Sequence, residues 1–151
     1  MSKSSWLIGS VSEATLKTED LIDTFSYTLK QIMTTRNKEH RKLVKEAEAI
    51  EDFGSDDAHG ILEELFDALE SYALPYFYFG ASEGDGASFG YWLSEDALRD
   101  AVYEKNVLKI DDWNEVPKDY RGEVLIVNDH GNMSLYYRNS KGNYREIWAI
   151  V

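Results

Sequence analysis

The hydrophobic pattern of this chain changes period once, at Pro75, and that change limits the architectures open to it. Before Pro75 the apolar residues recur at helical spacing. Thr18 offers a hydroxyl cap, Glu19 and Asp20 suit the positive end of a helix dipole, and Leu21, Ile22, Phe25, Leu29, Ile32 and Met33 form one stripe. Asn37 is placed to cap a second helix that turns Leu43, Ala47, Ile50 and Phe53 inward and ends at Gly54. Ser55, Asp56 and Asp57 open a third, in which Ile61, Leu62, Leu65, Phe66, Leu69 and Tyr72 share a face until Pro75 stops it.

Beyond Pro75 the pattern is that of strands. Residues 76–79 are four consecutive aromatics, 89–93 form a second apolar run, and the glycine-bearing stretch 80–87 between them suits a hairpin loop. Ser94, Glu95 and Asp96 can begin a short helix through Ala97 and Val102, and Val107–Ile110 reads as a further strand. The runs 124–127, 133–138 and 144–150 are separated by Asn128-Asp129-His130-Gly131-Asn132 and Asn139-Ser140-Lys141-Gly142-Asn143, both turn sequences. The expected class is α+β: about three N-terminal helices packed on an antiparallel β-sheet of four to six strands, with a C-terminal meander. No Pro/Gly/Ser-rich linker divides the 151 residues, so one domain is expected over 1–151, with a helical layer at about 18–74 and a mostly β layer at about 75–151.

The acidic charge is confined to the middle of the chain. Between Lys45 and Lys105 lie sixteen Asp and Glu against the one base Arg99, a net −15 where the whole protein carries −12. With 43% hydrophobic residues the chain has the means to fold despite that repulsion. Such a field disfavours nucleic-acid backbones and anionic membranes as direct partners, because both are met by Lys/Arg patches. A basic protein surface is the expected partner, met by the segment 46–104. Within the third helix Glu63, Asp67 and Glu70 recur at spacings of four and three, with Glu64 beside them, so their carboxylates line up about 5–6 Å apart in the manner of a phosphate row. Glu83 and Asp85 in the glycine-bearing loop join these four as the expected partner-binding residues. A solvated helix face and a flexible hairpin tip are the plainer readings of the same residues. The eight aromatics from Tyr72 to Trp92 lack the positive groove that base stacking requires and suit a buried strand pair. In the second helix, bases lead (Arg36, Lys38, Arg41, Lys42, Lys45) and acids follow (Glu46, Glu48, Glu51, Asp52). That order opposes the helix dipole and suits either a solvated face paired with a neighbouring helix or a bipolar contact surface.

Catalytic and metal signatures are sparse. There is no cysteine, and His40, His59 and His130 have no ligand spacing, so neither a metal nor a cofactor is expected. Asp56, Asp57 and His59 are near enough in sequence to share a metal, but capping accounts for the acids. Asp129 and His130 would be the acid/base pair of a small hydrolase, although that dipeptide in a turn commonly serves the turn itself. No apolar run approaches the roughly 20 residues of a membrane span. The opening residues lack the apolar stretch of about 7–15 that marks a signal peptide. A cytoplasmic location is expected.

Two stretches, Ser5-Trp6-Leu7-Ile8-Gly9-Ser10-Val11-Ser12-Glu13-Ala14-Thr15-Leu16 with Thr18-Glu19-Asp20-Leu21-Ile22, and Gly122-Glu123-Val124-Leu125-Ile126-Val127-Asn128-Asp129-His130-Gly131-Asn132 with Tyr136 and the ending Glu146-Ile147-Trp148-Ala149-Ile150-Val151, resemble small uncharacterised proteins of bacteriophages and prophages. Tyr78-Phe79-Gly80 through Gly90-Tyr91-Trp92 echoes them more faintly. The resemblance brings no catalytic residue with it. It implies a bacterial host cytoplasm. By analogy of source and charge, it implies a non-enzymatic inhibitor of a host defence or nucleic-acid-handling complex, of the anti-CRISPR or anti-restriction kind, presenting a nucleic-acid-mimicking face. The alternatives are an immunity protein neutralising a basic toxin, a virion component, and the hydrolase built on Asp129 and His130.

Overall fold

In the computed structural model, which describes residues 6–151, the stripe of the first helix is deeply buried: Ile22, Phe25 and Leu29 are fully enclosed, and Leu21 and Ile32 nearly so. The chain runs β1 (Gly9–Ser12), α1 (Thr18–Ile32), α2 (Lys38–Glu48), α3 (Asp56–Glu70), β2 (Phe77–Ser82), β3 (Asp85–Leu93), α4 (Glu95–Tyr103), β4 (Val107–Ile110), β5 (Gly122–Val127), β6 (Met133–Arg138) and β7 (Tyr144–Ile150). A 3-10 turn, Trp113–Glu115, interrupts the stretch between β4 and β5. The class is α+β, as the pattern implied. No helix among the described residues is long and apolar enough to cross a membrane.

The strands form two sheets instead of the expected one. The first is antiparallel in the order β1-β3-β2, and the second has the order β4-β5-β6-β7 with β4 parallel to β5. The C-terminal meander β5-β6-β7 is antiparallel, as expected. The parallel pair overturns an all-antiparallel sheet because residues 111–121 cross over between β4 and β5, whereas a tight turn would have reversed the chain. The chain gathers into two compact units: one contains the residues up to Ala73 together with Phe77–Leu93, and the other contains Leu74–Tyr76 and Ser94–Val151.

In the first unit, α1 packs against both α2 and α3. Phe25 meets Phe66 at 5.0 Å, Phe79 at 5.2 Å and Phe89 at 5.9 Å, all edge-to-face. Tyr91, fully buried on β3, donates its hydroxyl at 2.6 Å to the Leu69 carbonyl, which also takes the Tyr72 N–H at the end of α3. Asn37 caps α2 by accepting from the His40 N–H at 3.0 Å, and Ser55 caps α3 by accepting from the Ala58 N–H at 3.1 Å. Three boundaries differ from the pattern. Thr18 is the first helical residue and not a cap; Thr15 Oγ1 takes the Lys17 N–H instead and donates to Asp20. α2 ends at Glu48, short of Phe53, because Asp52 organises the next turn by accepting from the Gly54 N–H. The loop expected over 80–87 shrinks to Glu83-Gly84, since the pairing of β2 with β3 continues to Ser82↔Asp85.

β1 was not apparent in the sequence. It pairs with β3 through Gly9↔Tyr91 and Ser10↔Gly90, and the backbones approach so closely at Gly90 that a Cβ there would lie 2.8 Å from Ser10 Cα. The resemblance segment begins at Ser5, outside the described residues; from Trp6 onward it leads into this strand.

In the second unit, Leu98 and Ala101 of α4 are buried together with Val107, Ile110, Val124, Leu125, Leu135 and Trp148 of the sheet. The Trp148 indole donates to the Pro75 carbonyl at 2.9 Å, and the Tyr76 hydroxyl donates to Glu123 at 2.8 Å. Arg138 fastens the crossover: one guanidinium nitrogen donates to the carbonyls of both Pro117 and Tyr120 at 2.9 Å.

Gly90→Ala should destabilise the protein by about 1–3 kcal/mol, as overpacking against backbone does. Gly86→Ala, where a Cβ meets nothing within 4 Å, should cost less; denaturant titration of both variants checks the difference. A second prediction concerns alkali. Burial, and then the hydrogen bond to Glu123, push the Tyr76 hydroxyl up to about 12, and burial pushes Tyr91 up as well. Both groups hold their protons more tightly folded than unfolded, so this stability is intact below about pH 10, where unfolded tyrosine begins to ionise. It should fall as pH rises from there towards 12. Tyr76→Phe should flatten part of that fall in the urea midpoint.

Candidate functional site

α2 and α3 each dock on α1, and between them an open cleft remains. Its wider part, about 990 Å³, runs from the end of α2 across the connecting turn to the first half of α3. Six carboxylates line it, Glu46, Glu51, Asp52, Asp56, Asp57 and Glu64, with no base among the lining residues. Ala49, Ile50, Gly60 and Ile61 supply an apolar portion. A narrower part, about 380 Å³, continues along the helices past Glu39, His40, Lys42, Leu43 and Asp67, and shares Glu46 and Glu64 with the first.

The local sequence explains this placement. Asp56 and Asp57 stand in the first turn of α3, where the free N–H groups and the dipole favour anions. Asp52 is held by its turn, and Glu51 lies exposed beside it. Glu46 is exposed on α2, 3.7 Å from Lys42 on the same helix. Lys30 of α1 reaches Glu48 at 3.6 Å, so the acid-rich end of α2 borrows a base from its neighbour while its leading bases stay on the surface. Both pairs are well exposed and add little stability. At the narrow end, His40 Nδ1 and the Tyr72 hydroxyl are 2.7 Å apart, joining the start of α2 to the end of α3.

Of the residues singled out from the sequence, Glu64 and Asp67 line this cleft. Glu63 is exposed but is not among its lining residues. Glu70 is committed elsewhere: its carboxylate accepts the Phe79 N–H at 2.6 Å, meeting a donor of β2, which is an edge strand of the first sheet. Glu63, Asp67 and Glu70 are all exposed on α3, and of the three Glu70 also has this bond within the fold. Glu83 and Asp85 lie at the exposed β2–β3 turn, where Asp85 accepts from the Ala87 N–H at 2.9 Å. Burial, and then the charge of Glu83, raise the Tyr78 hydroxyl. Asp129 and His130 are exposed in the β5–β6 turn, which Asn128 organises by accepting from the N–H groups of His130 and Asn132. Among the described residues, no group of three or more His, Asp or Glu is placed to hold a metal ion.

The sequence located the acidic segment but not the residues that converge. Glu46, Glu51, Asp52, Asp56 and Asp57 come together because the turn 49–55 folds α3 back alongside α2. The one available signal was the helix-breaking run Asp52-Phe53-Gly54-Ser55 between two amphipathic stretches.

Glu70→Ala should cost about 1–3 kcal/mol by leaving the Phe79 N–H unmet. Glu63→Ala should be close to neutral; thermal unfolding of the two variants side by side reads the difference.

Comparison with protein-family models, with curated proteins and with solved structures finds no match, so the cleft's own geometry and charge must carry the functional argument.

Proposed function

We propose that this protein is a non-enzymatic binder whose α2–α3 cleft receives a basic segment of a partner protein, at a surface that nucleic acid would otherwise occupy. The observation that carries the reading is the lining of the wider cleft: six carboxylates, an apolar portion and no base. A lysine- or arginine-rich segment with some apolar side chains complements that lining, whereas a phosphate backbone is repelled by it. The concentration of acid in residues 46–104 extends the field beyond the cleft and steers encounter. The resemblance to phage-encoded proteins favours a target among host defence or nucleic-acid-handling proteins, and an immunity protein against a basic toxin would use the same chemistry.

The test compares two sets of charge-neutral variants. Glu46→Gln, Glu51→Gln and Glu64→Gln together alter the cleft, while Glu63→Gln and Glu83→Gln alter exposed acids outside it; none of the five holds a backbone N–H. Partner protein recovered by affinity capture is then measured for association rate at low and high salt. The cleft triple should slow association by about tenfold or more at low salt and flatten the salt response. The outer pair should stay within a few-fold of wild type. Equal loss in both sets would mean that only the diffuse charge matters, and no loss in either would overturn the reading.

A further inference from the structure

The second unit carries an aromatic corner to which the acidic cleft assigns no role. Trp113, in the 3-10 turn of the crossover, packs edge-to-face on two tyrosines from adjacent strands: Tyr136 at 5.1 Å and 74°, and Tyr144 at 4.8 Å and 70°. The tyrosines stand 6.4 Å apart at 89°. The three ring planes are thus steeply inclined to one another, and a cation seated against the exposed face of one lies close to the other two rings. Aromatics gathered this tightly usually fill a core, yet Trp113 is 42% and Tyr144 40% exposed.

Two observations indicate what would cover these rings. The first is charge. Glu146 lies beside the corner, its carboxylate accepting from the Tyr136 hydroxyl at 3.4 Å, and Asp112 and Glu115 flank Trp113 in the turn, both exposed. The second is that one ring already takes a cation from the protein itself: the Arg138 guanidinium lies 5.6 Å from the Tyr144 centroid. Arg138 also holds the crossover through Pro117 and Tyr120, so the turn that carries Trp113 is anchored before any ligand arrives.

We propose that the Trp113–Tyr136–Tyr144 corner binds a methylated ammonium group, either a free quaternary ammonium head or the same group on a trimethylated lysine. A bare ammonium keeps three N–H donors that ring faces do not satisfy and that hold it in water. A methylated ammonium has lost those donors, sheds water more readily, and presents a diffuse positive surface that ring faces satisfy. This proposal is independent of the α2–α3 cleft and stands or falls separately from it.

The test follows the Trp113 indole N–H and the Tyr144 ring by NMR on the full chain. The probes are choline, its uncharged isostere 3,3-dimethylbutan-1-ol, lysine amide and trimethyl-lysine amide. Choline or trimethyl-lysine amide should shift both signals, and the uncharged isostere should bind about tenfold more weakly or worse. Tighter binding of trimethyl-lysine amide assigns the group to a lysine side chain, and tighter binding of choline assigns it to a free head group. Trp113→Leu and Tyr144→Leu should each abolish the response with the fold intact by circular dichroism. Trp113→Phe should keep it within several-fold, and Glu146→Gln should weaken it. Equal affinity for choline and the uncharged isostere would reduce the corner to an apolar patch. Absence of any shift would remove the site.

Discussion

Phe25 stands where helix meets sheet in the first unit, its ring against Phe66 of α3, Phe79 of β2 and Phe89 of β3. Each such pair adds about 0.5–1.5 kcal/mol beyond the area it buries, and Phe25 itself is wholly enclosed. The docking of α1 fixes the rest. With α1 filling the interior, α2 and α3 both lean on it and meet each other less extensively. The cleft is what remains between two helices that share a support. Tyr91 strengthens the same junction, since its hydroxyl reaches the Leu69 carbonyl near the end of α3 from the middle of the sheet.

That support must also hold like charges together. Glu46, Glu51, Asp52, Asp56, Asp57 and Glu64 face one space with no base in its lining, and their mutual repulsion opposes the closure of α2 on α3. The dipole of α3 offsets part of this at Asp56 and Asp57, whereas Glu46 lies towards the C-terminal end of α2, where the dipole disfavours it and Lys42 and Lys45 on the same helix counter it.

Local chemistry in the sequence was a good guide to helices and a poor guide to strand partners. Asn37, Ser55 and Ser94 cap helices as their side chains suggested, because capping is decided within four residues. Thr18 failed because the helix starts one residue earlier than a Thr18 cap requires, with Lys17 at the cap position and no side chain bonding there. β1 escaped notice because Gly-Ser-Val-Ser has no alternation of its own; its place depends on Gly90, far along the chain. The parallel pairing of β4 with β5 hangs on the crossover and on Arg138, neither of which leaves a periodic signal. The acidic site shows the same division. Spacing along α3 put Glu64 and Asp67 on one helix, but it could not show that Glu70 answers a backbone N–H of β2, nor that Glu46 and Glu51 come round to line the same cleft as Glu64.

The path of the chain has a consequence for modularity. The first unit is interrupted by Leu74–Tyr76, three residues that belong to the second. Within that short insertion, Pro75 supplies the acceptor for the Trp148 indole and Tyr76 the donor to Glu123. A fragment starting at Ser94 would therefore lack both bonds, although every strand of its sheet would be present. A fragment ending at Ala73 would forfeit β2 and β3, and with them Phe79, Phe89 and Tyr91. Recombination or insertion that treats either unit as a cassette cuts through interactions that make it complete. The two units are compact in space but interleaved in sequence, so this chain is expected to be inherited, shuffled and truncated as one piece.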